Sequence, residues 1–493
     1  MNKNITVFQF FHWYSTADGQ WWNYCASKAK ELADKGITHV YLPPAYKSAF
    51  GSNEPGYAVY DLYDLGEFNQ KDTVRTKYGT KDDYLNCIKA FHDNDIEVVA
   101  DIVLNHRQGA DAKEFFAAAL VNTENRNDFV SEPHQIEGFT QFNFPGRNDK
   151  YSTFKWNHTT FSGIDGELNG QKVIYSIQNE YGAGWEEVTE NENGNFDFLM
   201  GADVEFRNEA VREELFKWGK WYADTTGVDG FRMDAVKHMS PIFIKDWINQ
   251  MKSYCNRYVF VVSEYWKNDV GALLNYLNIV EDATQLFDVP LHFNFYEASQ
   301  KKNEYDLRTI FDGTLLQQRP EMSVTFVENH DTQPLQSLES TVDFWFKPLA
   351  YALILLREQG TPVVFYPCLY EANYSDEKEG QKHEIKLAVV DELDALLNAR
   401  KDYAYGRQID YFDHPNVIGW VRQGAEDVQN SGCAIVLSNG DDDFKEMDMG
   451  NNKGNKTYKD ITNHVQEEVI TNEYGIGIFT VKGGSISVWI IKE

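Results

Sequence analysis

Cysteine is scarce in this chain of 493 residues, and the few cysteines lie far apart. There are five of them, an odd number, and no two form a CxxC pair: Cys25, Cys87, Cys255, Cys368 and Cys433. Disulfide frameworks need dense, paired cysteines, so this pattern is typical of free thiols in a reducing compartment. The first residues also lack the long apolar segment of a signal peptide, and we therefore expect a cytoplasmic protein.

Basic residues are in short supply as well. Lys and Arg number 46 against 76 Asp and Glu, which gives a formal net charge of −30. Nucleic acids and anionic membrane surfaces both require clustered positive charge, so neither is expected as a partner. No apolar run is long enough to span a bilayer. No heptad repeat signals an interface, and we expect a monomer.

What the chain does contain is a regular alternation of short apolar runs and amphipathic segments such as residues 81–94 and 208–225. The apolar runs predict strands over residues 7–10, 39–42, 97–104, 230–233, 259–263, 284–287, 323–327 and 363–366. Eight strands separated by helices indicate an α/β fold, a (β/α)8 TIM barrel.

Two segments depart from this alternation. Residues 107–201, rich in Asn, Gly, Phe and Tyr, are far too long for an ordinary loop and predict a small domain inserted after the third strand. After Arg400, short alternating runs predict a C-terminal antiparallel β-sandwich. We therefore expect a barrel from residues 1–106 and 204–400, an insert over 107–203 and a sandwich over 401–493. The run 439–444, NGDDDF, is interpreted as a solvated hairpin turn.

Four motifs place acidic residues at the ends of apolar runs: DIVLNH (101–106), GFRMDAVKH (230–238), VVSEYW (261–266) and FVENHD (326–331). In a parallel barrel the carboxyl ends of the strands meet at one face. Asp234, Glu264 and Asp331 are therefore expected in one cleft.

Glycoside hydrolysis with retention uses one carboxylate as nucleophile and one carboxyl group as acid and base. Arg232 lies two residues before Asp234 on the same strand face, so we expect its guanidinium to keep the pKa of Asp234 low, as suits a nucleophile. Glu264 ends an apolar strand, and a buried carboxyl group holds its proton as a general acid must. Asp331 would stabilise positive charge on the sugar.

Each motif alone is weak evidence, because an Arg-x-Asp pair is more often a salt bridge. Together they indicate a retaining glycosidase. His106 and His330 lie beside the acidic residues and are expected to donate hydrogen bonds to sugar hydroxyls.

These motifs resemble the four signature regions of the α-amylase family of glycoside hydrolases, and the resemblance covers the whole chain. It is strongest to the liquefying bacterial type and its cytoplasmic relatives, through FHWY (11–14), LPPAYK (42–47), GYAVYDLYDLGEFNQK (56–71) and WFKPLAYALILLRE (345–358). It implies retaining endo-hydrolysis of α-1,4-glucosidic bonds in maltodextrin, glycogen or starch, through a covalent glucosyl-enzyme.

The resemblance also implies roles for individual residues. Asp234 would be the nucleophile, Glu264 the general acid and base, and Asp331 the stabiliser of the transition state. Tyr57 would be a stacking platform, and Lys237 and His238 would contact the leaving-group side. The implied substrate contacts are Tyr57, His106, Arg232, Lys237, His238 and His330.

Asn105, Asp197 and Asp203 are oxygen donors where the insert leaves and rejoins the barrel. Calcium takes six to eight such ligands, although turn capping explains the two aspartates equally well. The resemblance implies one Ca²⁺ held by these three side chains and the carbonyl of His238.

Secreted relatives carry a further acidic metal cluster, and this chain departs from it. Ser162, Glu186 and Arg207 stand where Asp is expected, and Glu205 replaces another. An Arg is unfavourable beside a cation, so extra metals are not expected.

Three alternatives remain open. The same scaffold serves transglycosylases and α-1,6-cleaving enzymes, although DAVKH (234–238) favours α-1,4 specificity by resemblance. A non-catalytic glucan-binding protein would be expected to lack one of the three acids, and all three are present. A metal-dependent hydrolase would need His-rich strand ends, and the chain has only 12 His.

Overall fold

A closed barrel of eight parallel strands forms the centre of the protein, which is described here by a computed structural model covering residues 4–182 and 184–492. Each strand is a short apolar run that is buried almost throughout, since helices cover the outside of the barrel. The strands, β1 to β8 in chain order, are Val7–Gln9, His39–Leu42, Glu97–Ile102, Gly230–Met233, Phe260–Ser263, Gln285–Phe287, Ser323–Phe326 and Thr361–Phe365.

The predicted TIM barrel is confirmed, and the strand ends differ from prediction by at most two residues. The third strand ends at Ile102 rather than at residue 104, which leaves Val103 and Leu104 outside it. In the register of the barrel, Arg232 of β4 lies beside Asp101 of β3 and Val262 of β5. This register brings the acidic motifs of three neighbouring strands together.

Within residues 4–182 and 184–492, eight helices alternate with the barrel strands. They are α1 to α8: Trp21–Asp34, Lys81–His92, Glu209–Thr226, Pro241–Cys255, Val270–Ile279, Val289–Lys301, Lys347–Leu355 and Leu393–Asp402. α2 begins in a capping box of Thr80 and Asp83, and α3 ends at Gly227 in the left-handed conformation. Two shorter helices, Leu315–Gln318 and Pro367–Tyr370, flank the last barrel strands.

Between β3 and α3 the chain builds a separate antiparallel sheet. Its strands are His106–Arg107, Ala112–Val121, His134–Gln141, Phe161–Leu168, Gln171–Ile177 and Ala202–Val204. Asp203 in the last strand pairs with His106 in the first, so the chain leaves and re-enters the barrel side by side. A small pair of strands, Lys47–Ser48 and Val59–Asp61, lies after β2.

After β8, an antiparallel hairpin of Ala372–Lys378 and Gln381–Leu387 precedes α8. The C-terminal part then forms two antiparallel sheets, and their inner faces share a second apolar core. One sheet contains Gln408–Tyr411, Val417–Arg422, Cys433–Ser438, Thr457–Asp460, Val469–Ile470 and Ile486–Ile491; the other contains Asp443–Asp448 and Ile476–Val481. This is the predicted β-sandwich.

The interpretation of residues 439–444 as a hairpin turn is wrong. The strands before and after this run, Cys433–Ser438 and Asp443–Asp448, belong to different sheets, so the run crosses between the two layers. Asn439 is buried, and its side-chain amide donates to the carbonyls of Lys302 and Tyr305, both at 2.8 Å. The predicted divisions of the chain at residues 106/107, 203/204 and 400/401 stay predictions.

Candidate active site

The three predicted catalytic acids meet in one cleft at the carboxyl ends of the strands. Asp234 directly follows β4, Glu264 directly follows β5, and Asp331 lies shortly after β7. All three line a cleft of about 300 Å³. A larger hollow of about 560 Å³ lies on the insert, but none of the predicted site residues lines it.

Arg232 lies beneath these acids and bonds to several of them. Its guanidinium donates to Asp101 at 2.8 Å, contacts Asp234, and lies 2.9 Å from the carboxylate of Glu264. Arg232 is 1% exposed and does not line the cleft, so it contacts the acids rather than the space a sugar would fill.

The expected low pKa of Asp234 is wrong for the substrate-free protein. Burial raises the pKa of Asp234 well above its ordinary value. Arg232 lowers that pKa, but the neighbouring carboxylates raise it again. Burial, together with the Glu264 carboxylate, likewise raises the pKa of Asp331 to about 8. One guanidinium cannot neutralise several buried acids, so the cluster retains protons near neutral pH.

Asp101 is a member of this cluster that the sequence motifs contained but that had no predicted role. It is 1% exposed, and its carboxylate accepts hydrogen bonds from Tyr41 at 2.6 Å and Tyr57 at 2.7 Å. Its position inside an otherwise apolar strand is the sequence signal that could have identified it, because a buried carboxylate requires a partner.

Histidine side chains border the cleft as neutral rings. Burial lowers the pKa of His106 to about 4 and the pKa of His238 to about 3. His106 donates from Nε2 to the carbonyl of Tyr57 at 2.9 Å. His330 accepts from Gln9 at Nδ1 (3.0 Å), which leaves its Nε2–H facing Asp331 at 3.3 Å. Each N–H of His106 and His330 is thus already engaged, and a sugar hydroxyl would have to replace the present partner.

A stack of flat rings forms one wall of the cleft. Tyr57 lies nearly parallel to Trp13, with ring centroids 5.6 Å apart, and to His330 at 5.2 Å. The turn before Tyr57 depends on Gly56, which has φ +108° and whose added Cβ would lie 2.7 Å from Pro44. Flat apolar rings beside hydroxyl-binding acids suit a sugar ring. Trp13 had been assigned no role from the sequence.

Lys237 and His238 also line the cleft. The Lys237 ammonium donates to the carbonyl of Trp266 at 3.2 Å, and the His238 ring donates from Nδ1 to the carbonyl of Phe196 at 2.7 Å. Ala235, between them and Asp234, has φ +49°, and this left-handed turn directs its N–H to Glu264 at 3.1 Å. Trp266 and Phe196 also line the cleft and were missed as site residues.

Three of the residues predicted to bind calcium, Asn105, Asp197 and Asp203, lie close together where the insert joins the barrel. Asp203 accepts from Ser162 at 2.6 Å and from Asn105 at 3.3 Å, while Asp197 accepts from the backbone N–H of Glu186 at 3.0 Å. Burial raises the pKa of Asp197 to about 7 and raises that of Asp203 as well. Oδ1 of Asn105 is buried without a hydrogen-bond partner.

Arg207, which stands where the resemblance led us to expect an Asp, bonds to an acid. Its guanidinium donates to both carboxylate oxygens of Glu205, at 2.7 and 2.6 Å. Within residues 4–182 and 184–492, no three His, Cys, Asp or Glu side chains are grouped closely enough to hold a metal by themselves. The predicted calcium ligands are not a group of this kind, because two of them are the side-chain amide oxygen of Asn105 and the backbone carbonyl oxygen of His238.

A parallel barrel with paired carboxyl groups in a cleft walled by aromatic rings defines a glycoside hydrolase type of site. The sequence matches the model described as "Alpha amylase, catalytic domain" over residues 18–386. It is 47% identical to the cytoplasmic α-amylase of Escherichia coli K12, over 100% of this chain and 99% of that protein. The α-amylase of Bacillus licheniformis is 46% identical, over 99% of this chain and 94% of that protein. The chain therefore belongs to the α-amylase family.

Solved structures show the same fold at lower identity. An α-amylase from Geobacillus thermoleovorans, complexed with acarbose, superposes with a TM-score of 0.65 at 18% identity, over 99% of this chain and 98% of that chain. The cyclomaltodextrin glucanotransferase CldA gives 0.64 at 19% identity, over 100% of both chains. Among the residues that the structure describes, no helix has the length and apolar character needed to cross a membrane.

Proposed function

We propose that this protein is an endo-acting, retaining α-1,4-glucan hydrolase that cleaves maltodextrins, glycogen or soluble starch. One observation carries the proposal: Asp234, Glu264 and Asp331 line a single cleft above Arg232. Family membership over the full chain supports α-1,4-glucans as the substrate.

In the first step, Glu264 donates its proton to the glycosidic oxygen while a carboxylate oxygen of Asp234 attacks the anomeric carbon. The bond to the leaving sugar breaks, and a covalent glucosyl-enzyme forms. Glu264, now ionised, then takes a proton from water, whose oxygen attacks the same carbon and releases Asp234. Two inversions at one carbon keep the α configuration.

The other residues have supporting roles in this proposal. Asp331 accepts hydrogen bonds from sugar hydroxyls and stabilises the positive charge that develops on the sugar. Arg232 stabilises the ionised forms of Asp234 and Glu264, which it contacts directly. Tyr57 is the stacking platform, and its hydroxyl is fixed by Asp101.

Digestion of maltoheptaose tests the function. We expect shorter maltooligosaccharides from internal cleavage, with the new reducing ends in the α form when proton NMR spectra are recorded before mutarotation. Products in the β form would exclude retention, and glucosyl transfer to added maltose without net hydrolysis would indicate a transglycosylase. A linear and a branched glucan compared in parallel separate α-1,4 from α-1,6 cleavage.

A second product pattern is favoured by one relative. A glucan 1,4-α-maltohexaosidase of Bacillus sp. strain 707 is 46% identical, over 99% of this chain and 93% of that protein. Release of a single main product of six glucose units from long glucans would place this chain with that specificity. A broad range of product sizes at early times would support endo cleavage.

A calcium ion between barrel and insert is part of the proposal, and calcium binding is common among relatives in this family. The residues fit a hard cation, because the unpartnered Oδ1 of Asn105 and the buried carboxylates of Asp197 and Asp203 are all oxygen donors. These side chains and the carbonyl of His238 would hold the ion, which would tie the insert to the barrel. The bound ion would supply positive charge and no chemical step.

We also propose a cytoplasmic location. All five cysteines are unpaired, as expected in a reducing compartment, and the relative from Escherichia coli is named a cytoplasmic α-amylase. The monomeric state stays a prediction, which light scattering of the purified protein would check.

A further inference from the structure

One turn of the insert, residues 189–196, is fastened to two barrel loops that carry cleft residues. Thr189 shares a hydrogen bond of 3.0 Å with the hydroxyl of Tyr265, in the loop after β5. At the other end of the turn, the carbonyl of Phe196 accepts from His238, in the loop after β4. The insert and the barrel are thus joined beside Lys237, on one side of the cleft.

Four charged side chains lie between these two attachments, and we call them the clasp: Glu190, Glu192, Lys237 and Lys267. Lys267 Nζ lies 3.2 Å from Glu190 and 3.6 Å from Glu192. Lys237 Nζ lies 4.0 Å from Glu192. Two acids from the insert therefore face two lysines from the barrel.

Glu190 is the fixed part of the clasp. Its side chain is 7% exposed, and its Oε1 accepts from the backbone N–H groups of Asn191 (3.1 Å) and Glu192 (3.3 Å). A carboxylate this buried needs a cation, and Lys267 provides it. The ion pair with Lys267 therefore holds the turn, and with it Glu192, against the barrel.

Lys237 is the part of the clasp that reaches the cleft. Its ammonium lies over the ring of Phe196 at 4.7 Å and donates to the carbonyl of Trp266. Its contact with Glu192 is long, and the Glu192 side chain is 48% exposed. A sugar hydroxyl entering the cleft can replace Glu192 as an acceptor for Lys237, and the half-exposed Glu192 carboxylate is then hydrated by solvent.

We infer that Glu190 and Lys267 are positioning residues for Lys237, and that the clasp they form sets how tightly the cleft holds sugars on its Lys237 side. This inference rests on the proposed function, because the ligand is a glucan chain. Neither Glu190 nor Lys267 lines the cleft.

The clasp should be sensitive to salt. Lys267 is 33% exposed, so dissolved ions reach its ammonium and screen its interactions with both Glu190 and Glu192. The affinity for a long glucan should fall as ionic strength rises, because the turn is then held less firmly.

Two variants test the inference without removing the turn. Glu190→Gln keeps an acceptor for the two backbone N–H groups but loses the charge, and Lys267→Met keeps the apolar stem. We expect KM for maltoheptaose to rise about twofold to fivefold in each, as for loss of one partly exposed ion pair, with kcat nearly unchanged. KM for a maltoside with a small aryl leaving group, which has no sugar on the leaving side, should not change.

The double variant should show no larger effect than Lys267→Met alone, since Lys267→Met already removes the pair with Glu190. High salt should raise KM for maltoheptaose in the parent protein and have little further effect in the variants. The matched control is Lys89→Met, which breaks an exposed pair with Asp93 (2.6 Å) on α2 and should leave both substrates unaffected.

Equal changes for both substrates, a fall in kcat alone, or additive effects in the double variant would overturn the inference. Thermal unfolding of each variant distinguishes a specific effect on the clasp from a general loss of folding, which would change the kinetics with both substrates. If the parent protein cleaved neither substrate, the proposed function itself would fail. If the parent protein cleaved both substrates and the variants behaved like it, only the inference about the clasp would fail.

Discussion

At the scale of single residues, the acidic side chains around Arg232 outnumber the single positive charge that its guanidinium provides. Asp101, Asp234 and Glu264 all contact Arg232, and Asp331 completes the cluster. Burial and the neighbouring carboxylates raise the pKa of Asp234 and of Asp331, and the protons retained there belong to the coupled group rather than to one residue. A nucleophile and an acid are thus obtained from the same set of carboxyl groups, and the guanidinium stabilises whichever contacting acid is ionised.

Asp234→Asn tests the nucleophile. The amide matches the carboxylate in shape but cannot form the glucosyl bond, so we expect kcat on maltoheptaose to fall by on the order of 10⁴-fold. Because the pKa of Asp234 is raised in the folded protein, its ionised form is disfavoured there, and the variant should unfold at the same temperature or higher. Near-normal turnover would mean that another residue is the nucleophile. Asp93→Asn, on the surface, is the control.

Asp331 predicts a dependence of stability on pH. Its pKa rises from about 4 when unfolded to about 8 when folded, so the folded protein binds more protons between these values. The stability due to this group is therefore present at low pH and lost as pH rises through that window. Asp331→Asn cannot ionise, so its free energy of unfolding should increase relative to the parent protein up to about pH 8 and then level off.

Urea unfolding of both proteins at intervals from acidic to alkaline pH measures this difference. The Asp331 side chain is still 19% exposed, and this residual hydration makes the expected gain smaller than full burial would give. Asp442→Asn provides the control, since the Asp442 side chain is 64% exposed and its variant should show no trend in this window. A flat difference for Asp331→Asn would show that Asp331 is ionised throughout.

At the scale of elements, β7 and α7 are joined by a buried ion pair just before the Asp331 loop. Lys347, at the start of α7, donates to Glu328 at 2.7 Å, and Glu328 also accepts from the N–H of Val342 at 2.9 Å. Both side chains are less than a tenth exposed. The pair fixes the end of the strand that leads to His330 and Asp331.

Lys347→Met should destabilise the protein, because it leaves the Glu328 carboxylate buried without its cation. We expect the free energy of unfolding, measured for the first unfolding transition, to fall by about 3–5 kcal/mol. Adding Glu328→Gln should recover most of this loss, since the amide still accepts from Val342 without a charge. Lys378→Met, which breaks an exposed pair with Glu339, should cost much less. Similar losses of stability in Lys347→Met and in the double variant would show that the unpaired charge of Glu328 does not cause the destabilisation.

The barrel elements could be predicted from the sequence because their signal is local. The run Phe260–Ser263, for example, is buried at every residue and apolar up to its last one, since a parallel strand is covered on both faces. The strands of the insert could not be assigned, because their pairing is antiparallel and links distant segments, as Asp203 with His106 does. The crossing at residues 439–444 was misjudged for the same reason: the sequence indicates a turn but not which sheet the next strand joins.

The same limit applies to the site. The convergence of Asp234, Glu264 and Asp331 follows from strand order, which the sequence reveals. The pKa of Asp234 cannot be predicted from strand order, because it depends on how many other acids share the buried space. An Arg two residues away suggested one neighbour, whereas the fold brings in Asp101 from β3 as well.

At the scale of the whole molecule, two of the contacts between the insert and the barrel lie beside cleft residues. One is the clasp, and the other is the region of Asn105 and Asp203. The second region holds buried carboxylates whose mutual repulsion opposes folding unless a cation or protons balance it. The position of the insert, and therefore the shape of the cleft, depends on how that charge is neutralised.

Calcium should therefore stabilise the whole protein. A ligand that binds only the folded state adds about 2.7 kcal/mol when its free concentration is 100 times its Kd. We expect calorimetry to show a higher unfolding temperature with calcium than with a chelator.

The variant Asp203→Asn should reduce the difference between the two unfolding temperatures, because it removes the charge of a calcium ligand. Without metal, the variant should unfold at a higher temperature than the parent protein, because the repulsion between the buried carboxylates is smaller. Glu446→Gln, on an exposed face of the sandwich, is the control and should respond to calcium as the parent does. If calcium and chelator gave the same unfolding temperature in the parent protein, protons and the neighbouring arginine side chains would have to balance the buried acids, and the calcium site would be excluded.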